Sequence, residues 1–223
     1  MQLSASLMCA NPLNIGDDVR ELERAGIDFW HMDIMDGVYV PNLALNFETI
    51  KAVNSISEIP LDAHLMVDQP ENYLQMCASA GVDYLSFHVE HVQFPHRLIQ
   101  RIQDLGMKAG IAINPSTGLD NLQYIIEKAD YILIMTVEPG FAGQKFIYNV
   151  LPKITAIKQM METKKLDLPI QVDGNISVET AALTLAAGAQ VLVAGTSSIF
   201  KQEGSLGENL RAFKAAVRKA SGQ

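Results

Sequence analysis

Three apolar runs end in residues able to hold a metal or move a proton. His31, Asp33 and Met35 alternate in HMDIM, so in an extended strand they share one face. His64 and Met66 alternate in AHLM, and Asp173 closes the run IQVD just before Gly174. If these faces point to a common interior, two imidazoles and two carboxylates meet from three strands. Such a set of two nitrogens and two oxygens suits a divalent ion such as Zn²⁺, Mn²⁺ or Fe²⁺. A cation would also offset the cost of burying carboxylates. Taken singly, a His or Asp at a strand end is more often hydrogen-bonded structure or solvent-facing polarity. The argument for a site rests on all four sharing parity and position. Asp36, before Gly37, reads as a turn residue, and Asp62 lies one pleat below the rim, so both stay outside the set.

Three methionines, Met35, Met66 and Met135, also fall near strand ends. Core methionine is usually filler, but three around a polar mouth would form a polarizable, water-excluding cushion for a delocalised anion. The segment Glu138-Pro139-Gly140-Phe141-Ala142-Gly143-Gln144 suits a shaped loop whose N–H groups face an anion, or a lid. Gly174-Asn175-Ile176-Ser177 and Gly195-Thr196-Ser197-Ser198 follow the last two strands. Small residues there let backbone donors and a helix N-terminus meet a phosphate. Other chemistries fit poorly. Lys108 opens its strand and Lys145 lies in a loop, so neither suits a Schiff base at a strand end. There is no GxSxG or Walker motif, and neither Cys9 nor Cys77 has an obvious histidine partner in sequence.

Bringing those ends together requires a particular scaffold. Runs rich in β-branched or aromatic residues predict strands at 2–8, 28–35, 60–66, 83–88, 107–113, 131–137, 169–173 and 190–194. Helical spacing marks 14–25, 70–80, 150–163, 177–187 and 206–219 between them. Gly81, Gly106 and Gly188 each stand just before a strand, where a helix stops in a left-handed conformation. Eight strands, each followed by a helix, predict an α/β fold, a single (β/α)₈ TIM barrel of the phosphate-binding type over 1–223. An open doubly wound sheet is the competing architecture, but the first strand leads into SLMCANPLN without a GxGxxG turn.

Composition agrees with a folded domain. Of 223 residues 48% are hydrophobic and 19% charged, with 25 acidic against 17 basic residues giving a net charge of −8. This excludes disorder, and two cysteines exclude a disulfide scaffold. An acidic balance argues against nucleic acid as partner. No apolar run nears the ~20 residues of a membrane helix, so no membrane partner is expected. The first residues lack the positive charge of a secretory signal, and a cytoplasmic location is expected.

SASLMCAN, HMDIMDGVYVPN, LDAHLMV, FHVE, INPST, MTVEPGFAGQKFI, VDGNIS and VAGTSSIF together resemble the ribulose-phosphate 3-epimerases and the related allulose-6-phosphate 3-epimerases. The resemblance covers nearly the whole chain. It implies a metal-dependent barrel that inverts carbon 3 of a ketose phosphate, D-ribulose 5-phosphate to D-xylulose 5-phosphate. It implies one divalent metal ion per chain, held by His31, Asp33, His64 and Asp173, with Asp33 and Asp173 as the catalytic acid/base pair. Ser6, Met35, Met66 and Met135 match substrate-contacting positions. Gly140, Gly143, Gly174, Asn175, Gly195, Thr196 and Ser197 fall at the phosphate grip. A homo-oligomer is implied in the same way. Three departures separate this chain from the commonest pentose pattern: SASLMC for SPSIL, VEPGFAGQ for VNPGFGGQ, and VDGN for VDGG. The first two resemble the hexose-phosphate branch, which makes D-allulose 6-phosphate to D-fructose 6-phosphate the rival reaction. A non-catalytic phosphosugar-binding barrel is the alternative outside enzymes. His88, in FHVE, has no assigned role.

Overall fold

A computed structural model describes residues 1–201 and 203–222. Eight parallel strands close on themselves: β1 (Gln2–Ser6), β2 (Phe29–Asp36), β4 (Leu61–Met66), β5 (Tyr84–His88), β6 (Lys108–Ile113), β7 (Tyr131–Met135), β8 (Ile170–Asp173) and β9 (Val191–Ala194). The order runs β1-β9-β8-β7-β6-β5-β4-β2, and a β1–β2 pairing completes the ring. A two-residue strand, β3 (Leu43–Ala44), adds antiparallel to the end of β2. The helices are α1 (Ile15–Arg24), α2 (Phe47–Asn54), α3 (Leu74–Ser79), α4 (Pro95–Asp104), α5 (Leu122–Ile125), α6 (Leu151–Lys164), α7 (Val178–Ala187) and α8 (Leu206–Ser221). This is the expected TIM barrel.

Alternation along each strand separates two environments. Leu3, Ala5, Trp30, Met32, Ile34, Leu61, Ala63 and Leu65 belong to the apolar layer shared with the helices. That burial supplies the main driving force for folding. The alternate residues Ser4, His31, Asp33, Asp62, His64 and Ser86 are buried but polar. Register then sets the site: His31 lies opposite Ser6 and Asp62, Asp33 opposite His64, and Met135 opposite Asp173.

Several boundaries differ from expectation for local reasons. The first strand stops at Ser6, where Leu7–Cys9 forms a 3₁₀ turn. The strand expected over 131–137 stops at Met135. Thr136 turns its N–H (2.7 Å) and its hydroxyl (2.9 Å) onto the carbonyl of Asp173. The helix expected over 70–80 is broken into a 3₁₀ turn at Pro70–Asn72 and the six-residue α3. Gly81, Gly106 and Gly188 take the positive φ expected of helix stops.

Candidate active site

The four singled-out side chains meet at the C-terminal end of the barrel. One ligand atom from each of His31, Asp33, His64 and Asp173 lies within 4.8 Å of all the others. Both imidazoles are fully buried, Asp33 is 3% exposed, and the Asp173 side chain, facing the mouth, is 17% exposed. His31 Nε2 and His64 Nδ1 each stand 3.4 Å from Asp33 Oδ1 and 3.8 Å from Asp173 Oδ2. Neither nitrogen has a hydrogen-bond partner among the described residues. Two orphaned imidazole nitrogens aimed at two carboxylate oxygens fit a divalent cation, which would satisfy all four donors together. The other oxygen of Asp33 is already engaged, accepting from the Ser6 hydroxyl at 2.8 Å.

Two supporting groups were not recognised in the sequence. Asp62 Oδ2 lies 2.8 Å from His31 Nδ1, so the carboxylate accepts a hydrogen bond from that nitrogen and leaves Nε2 free to ligate. Asp62 is itself held by the Gln171 amide at 2.5 Å and the Tyr131 hydroxyl at 3.1 Å. The Tyr131 ring fits only because Gly110 lacks a side chain: a Cβ there would sit 2.3 Å from the ring. His64 rests instead on His88, with their Nε2 atoms 2.8 Å apart, while His88 Nδ1 faces Glu90 at 3.4 Å. The available signal was the position of Asp62, two residues before His64 in a fully buried strand. A buried acid needs a partner.

Charge states follow from these neighbours. Burial disfavours charge on both imidazoles, but Asp33 and Asp62 overcome it at His31 and raise its pKa well above the usual value. At His64, burial prevails and, with His88 alongside, lowers the pKa to about 4. Burial also opposes ionisation of Asp33, but His31 and His64 hold its carboxyl well below the ordinary range. Asp173 goes the other way: burial and the adjacent Asp33 push it up to about 7. One carboxylate therefore favours the ionised form and the other the protonated form, the division an acid/base pair needs.

Above this cluster opens a cleft. Ser6, Met35, Met66 and Met135 line it, together with Met8 and Cys9. Burial drives the Cys9 thiol up to about 11, so it presents a neutral S–H. Gly140, Gly143, Gly174, Asn175, Gly195, Thr196 and Ser197 line it as well. The structure thus brings the residues singled out in the sequence to one cavity and the buried cluster beneath it. Gly174 has φ +122°, and a Cβ would meet Val137 Cγ2 at 2.6 Å and its backbone N at 2.8 Å, so no other residue fits without displacement. Asp36, expected in a turn, is instead the last residue of β2, and its side chain fixes the turn that follows by accepting from the N–H groups of Val38, Tyr39 and Asp68 at 2.8–3.0 Å.

Residues 2–200 match the model of the ribulose-phosphate 3 epimerase family. The chain belongs to that family. It is 42% identical over 198 residues to the ribulose-phosphate 3-epimerase of Bacillus subtilis, covering 88% of this chain and 91% of that protein. Against the ribulose-phosphate 3-epimerase of Methanocaldococcus jannaschii the identity is 41% over 203 residues, covering 91% and 86%. Among solved structures, KGPDC from Streptococcus mutans superposes with a TM-score of 0.75 at 14% identity, over 98% of this chain and 97% of that one. At that identity the likeness concerns the barrel alone. Family membership makes the chain an epimerase, an isomerase by reaction class. The buried His/Asp cluster could hold a metal ion. Among the described residues no helix is long and apolar enough to cross a membrane.

Proposed function

We propose that the chain inverts carbon 3 of D-ribulose 5-phosphate, giving D-xylulose 5-phosphate, with Asp33 and Asp173 as the proton carriers. The carrying observation is the pair of carboxylates facing the same two imidazole nitrogens at the foot of one cleft, with their pKa values driven apart. Asp33, ionised, takes the carbon-3 proton; Asp173, protonated, returns one to the other face of the planar enediolate. The two titrate as a pair and exchange roles in the reverse direction. Ser6, donating to Asp33, keeps that carboxylate in place. When bound by His31, Asp33, His64 and Asp173, a divalent ion supplies electrostatic stabilisation for the charge that develops on the substrate's oxygens. The donor set suits Zn²⁺, Mn²⁺ or Fe²⁺. Met35, Met66 and Met135 exclude water above the reacting carbon, and the glycine-lined wall grips the phosphate.

Turnover of ribulose 5-phosphate in deuterated water tests the scheme. Deuterium should enter at carbon 3; inversion without it would rule out exchangeable carboxylate carriers. Chelation should abolish turnover, and restoring each metal singly should identify the one that works. A second reading has its own support: Met8, Cys9 and Ala142, from the runs that resemble the hexose-phosphate branch, line the cleft. A higher kcat/KM on D-allulose 6-phosphate than on ribulose 5-phosphate would favour it. Homo-oligomerisation in the cytoplasm belongs to the same proposal, and sedimentation of the purified chain tests the assembly.

A further inference from the structure

Asn175 stands where the commoner family pattern has glycine, and its side chain does something a glycine could not. It follows Gly174 in a left-handed conformation, φ 49°, which asparagine tolerates. Its Nδ2 donates to the carbonyl of Gln144 at 2.5 Å, and its Oδ1 accepts from the Ser197 hydroxyl at 2.6 Å. One amide thus joins the loop after β7 to the loop after β9. Its own backbone carbonyl is fixed by the Thr180 hydroxyl at 2.8 Å, in the capping box that opens α7. The anchor is therefore a rigid helix start.

Gln144 is the knot of the loop it belongs to, donating through its side chain to the carbonyls of Glu138 and Phe141. On the other flank, Asn42 donates to the Gly140 carbonyl at 2.7 Å. Between these two ties, Phe141, Ala142 and Gly143 are exposed, so little apolar packing holds the segment down. Side-chain amides are what fix the loop against the cleft.

We propose that Asn175 is a positioning residue that couples closure of loop 138–146 to formation of the phosphate grip. Any force that orders Ser197 and the start of α7 around an anion then also holds Gln144, and with it the loop. The inference rests on the phosphate-sugar reading for its kinetic consequence, but not for the coupling itself. Aspartate in its place could accept from Ser197 but could not donate to the Gln144 carbonyl.

Hydrogen exchange of the amides in 140–146 tests the coupling in the wild type, Asn175→Gly and Asn175→Asp, each with and without inorganic phosphate. Glycine accepts the left-handed backbone, so the first variant keeps the fold. Without phosphate, exchange should be about ten-fold faster in both variants, the size expected for a lost hydrogen bond to the loop. Phosphate should slow exchange in the wild type and no longer do so in Asn175→Gly at saturation. On ribulose 5-phosphate, Asn175→Gly should raise KM about ten-fold and leave kcat within about two-fold. Unchanged loop exchange, or a kcat that falls in step with any rise in KM, would overturn the proposal. Because the exchange arm contains no sugar, its outcome is the same if another ketose phosphate proves to be the substrate.

Discussion

On the β2–β4–β5 side of the mouth, the working groups are side chains held within strands and sealed from water. On the β7–β8–β9 side, Met135 and Asp173 apart, they are backbone and small polar groups carried on loops. His31 and His64 have no exposed surface, and each is braced by a further buried group, Asp62 or His88. Phe141, Ala142 and Gly143, by contrast, are exposed, and amide ties fix their loop. The difference matches two tasks. Proton transfer and metal ligation need fixed positions and a dry setting, whereas admitting and releasing a charged substrate needs parts that move. Asp173 sits where the two regimes join, at the end of β8 and the start of a glycine loop.

Changing Asp173 should produce the largest effect. Asp173→Asn should lower kcat by about 10²–10⁴-fold with an unchanged circular dichroism spectrum; near-normal turnover would remove the proton carrier at which the two regimes join. The same variant tests the electrostatics. With its folded pKa raised to about 7, protonated Asp173 contributes stability that is fully present below about pH 4 and is lost as pH rises through about 7. In chelator-treated protein, wild-type Tm should therefore fall relative to Asp173→Asn across that window, and parallel curves would contradict the raised pKa. Asp62→Asn removes the negative charge that strengthens the hydrogen bond from His31 Nδ1 and so the preference for that tautomer. It should weaken metal binding about 10–100-fold in a chelator competition, with the fold retained. On the loop side, Gly174→Ala forces a Cβ against Val137 and should cost about 1–3 kcal/mol in denaturant unfolding. The smallest change is Ser177→Ala, which breaks the capping box of α7 and should cost about 1 kcal/mol in the same measurement.

The two sides also differed in how far the sequence revealed them. His31, Asp33 and His64 announce themselves because strand alternation is strict and their residue types are unusual in an apolar run. The glycine loops were legible because each interrupts an apolar pattern at a strand end. What joins them was not. Asp62 matters because it is the cross-strand neighbour of His31, and register between strands leaves no mark along a single strand. His88 could be placed near the site from FHVE, but its partnership with His64 depends on how β5 sits beside β4. The amide of Asn175 bridges residues 31 positions before it and 22 after it, a relation only the folded chain contains. Helix α2 was not located because only Ile50 and Val53 among its eight residues are buried, too few to set a stripe.

Closure of the ring by the last strand, β9, on the first, β1, has a consequence for the order of events in the cell. More than half the chain separates Asp33 from Asp173, so a nascent polypeptide carries three of the four donors long before the last emerges. An ion held by all four would be captured tightly only once β8 has docked, and would discriminate finished molecules from partial ones. Since only the complete barrel offers the full donor set, each tenfold excess of free ion over its dissociation constant adds about 1.4 kcal/mol to the resistance of the whole molecule to unfolding. Scarcity of the ion would therefore shorten the lifetime of the protein as well as silence it.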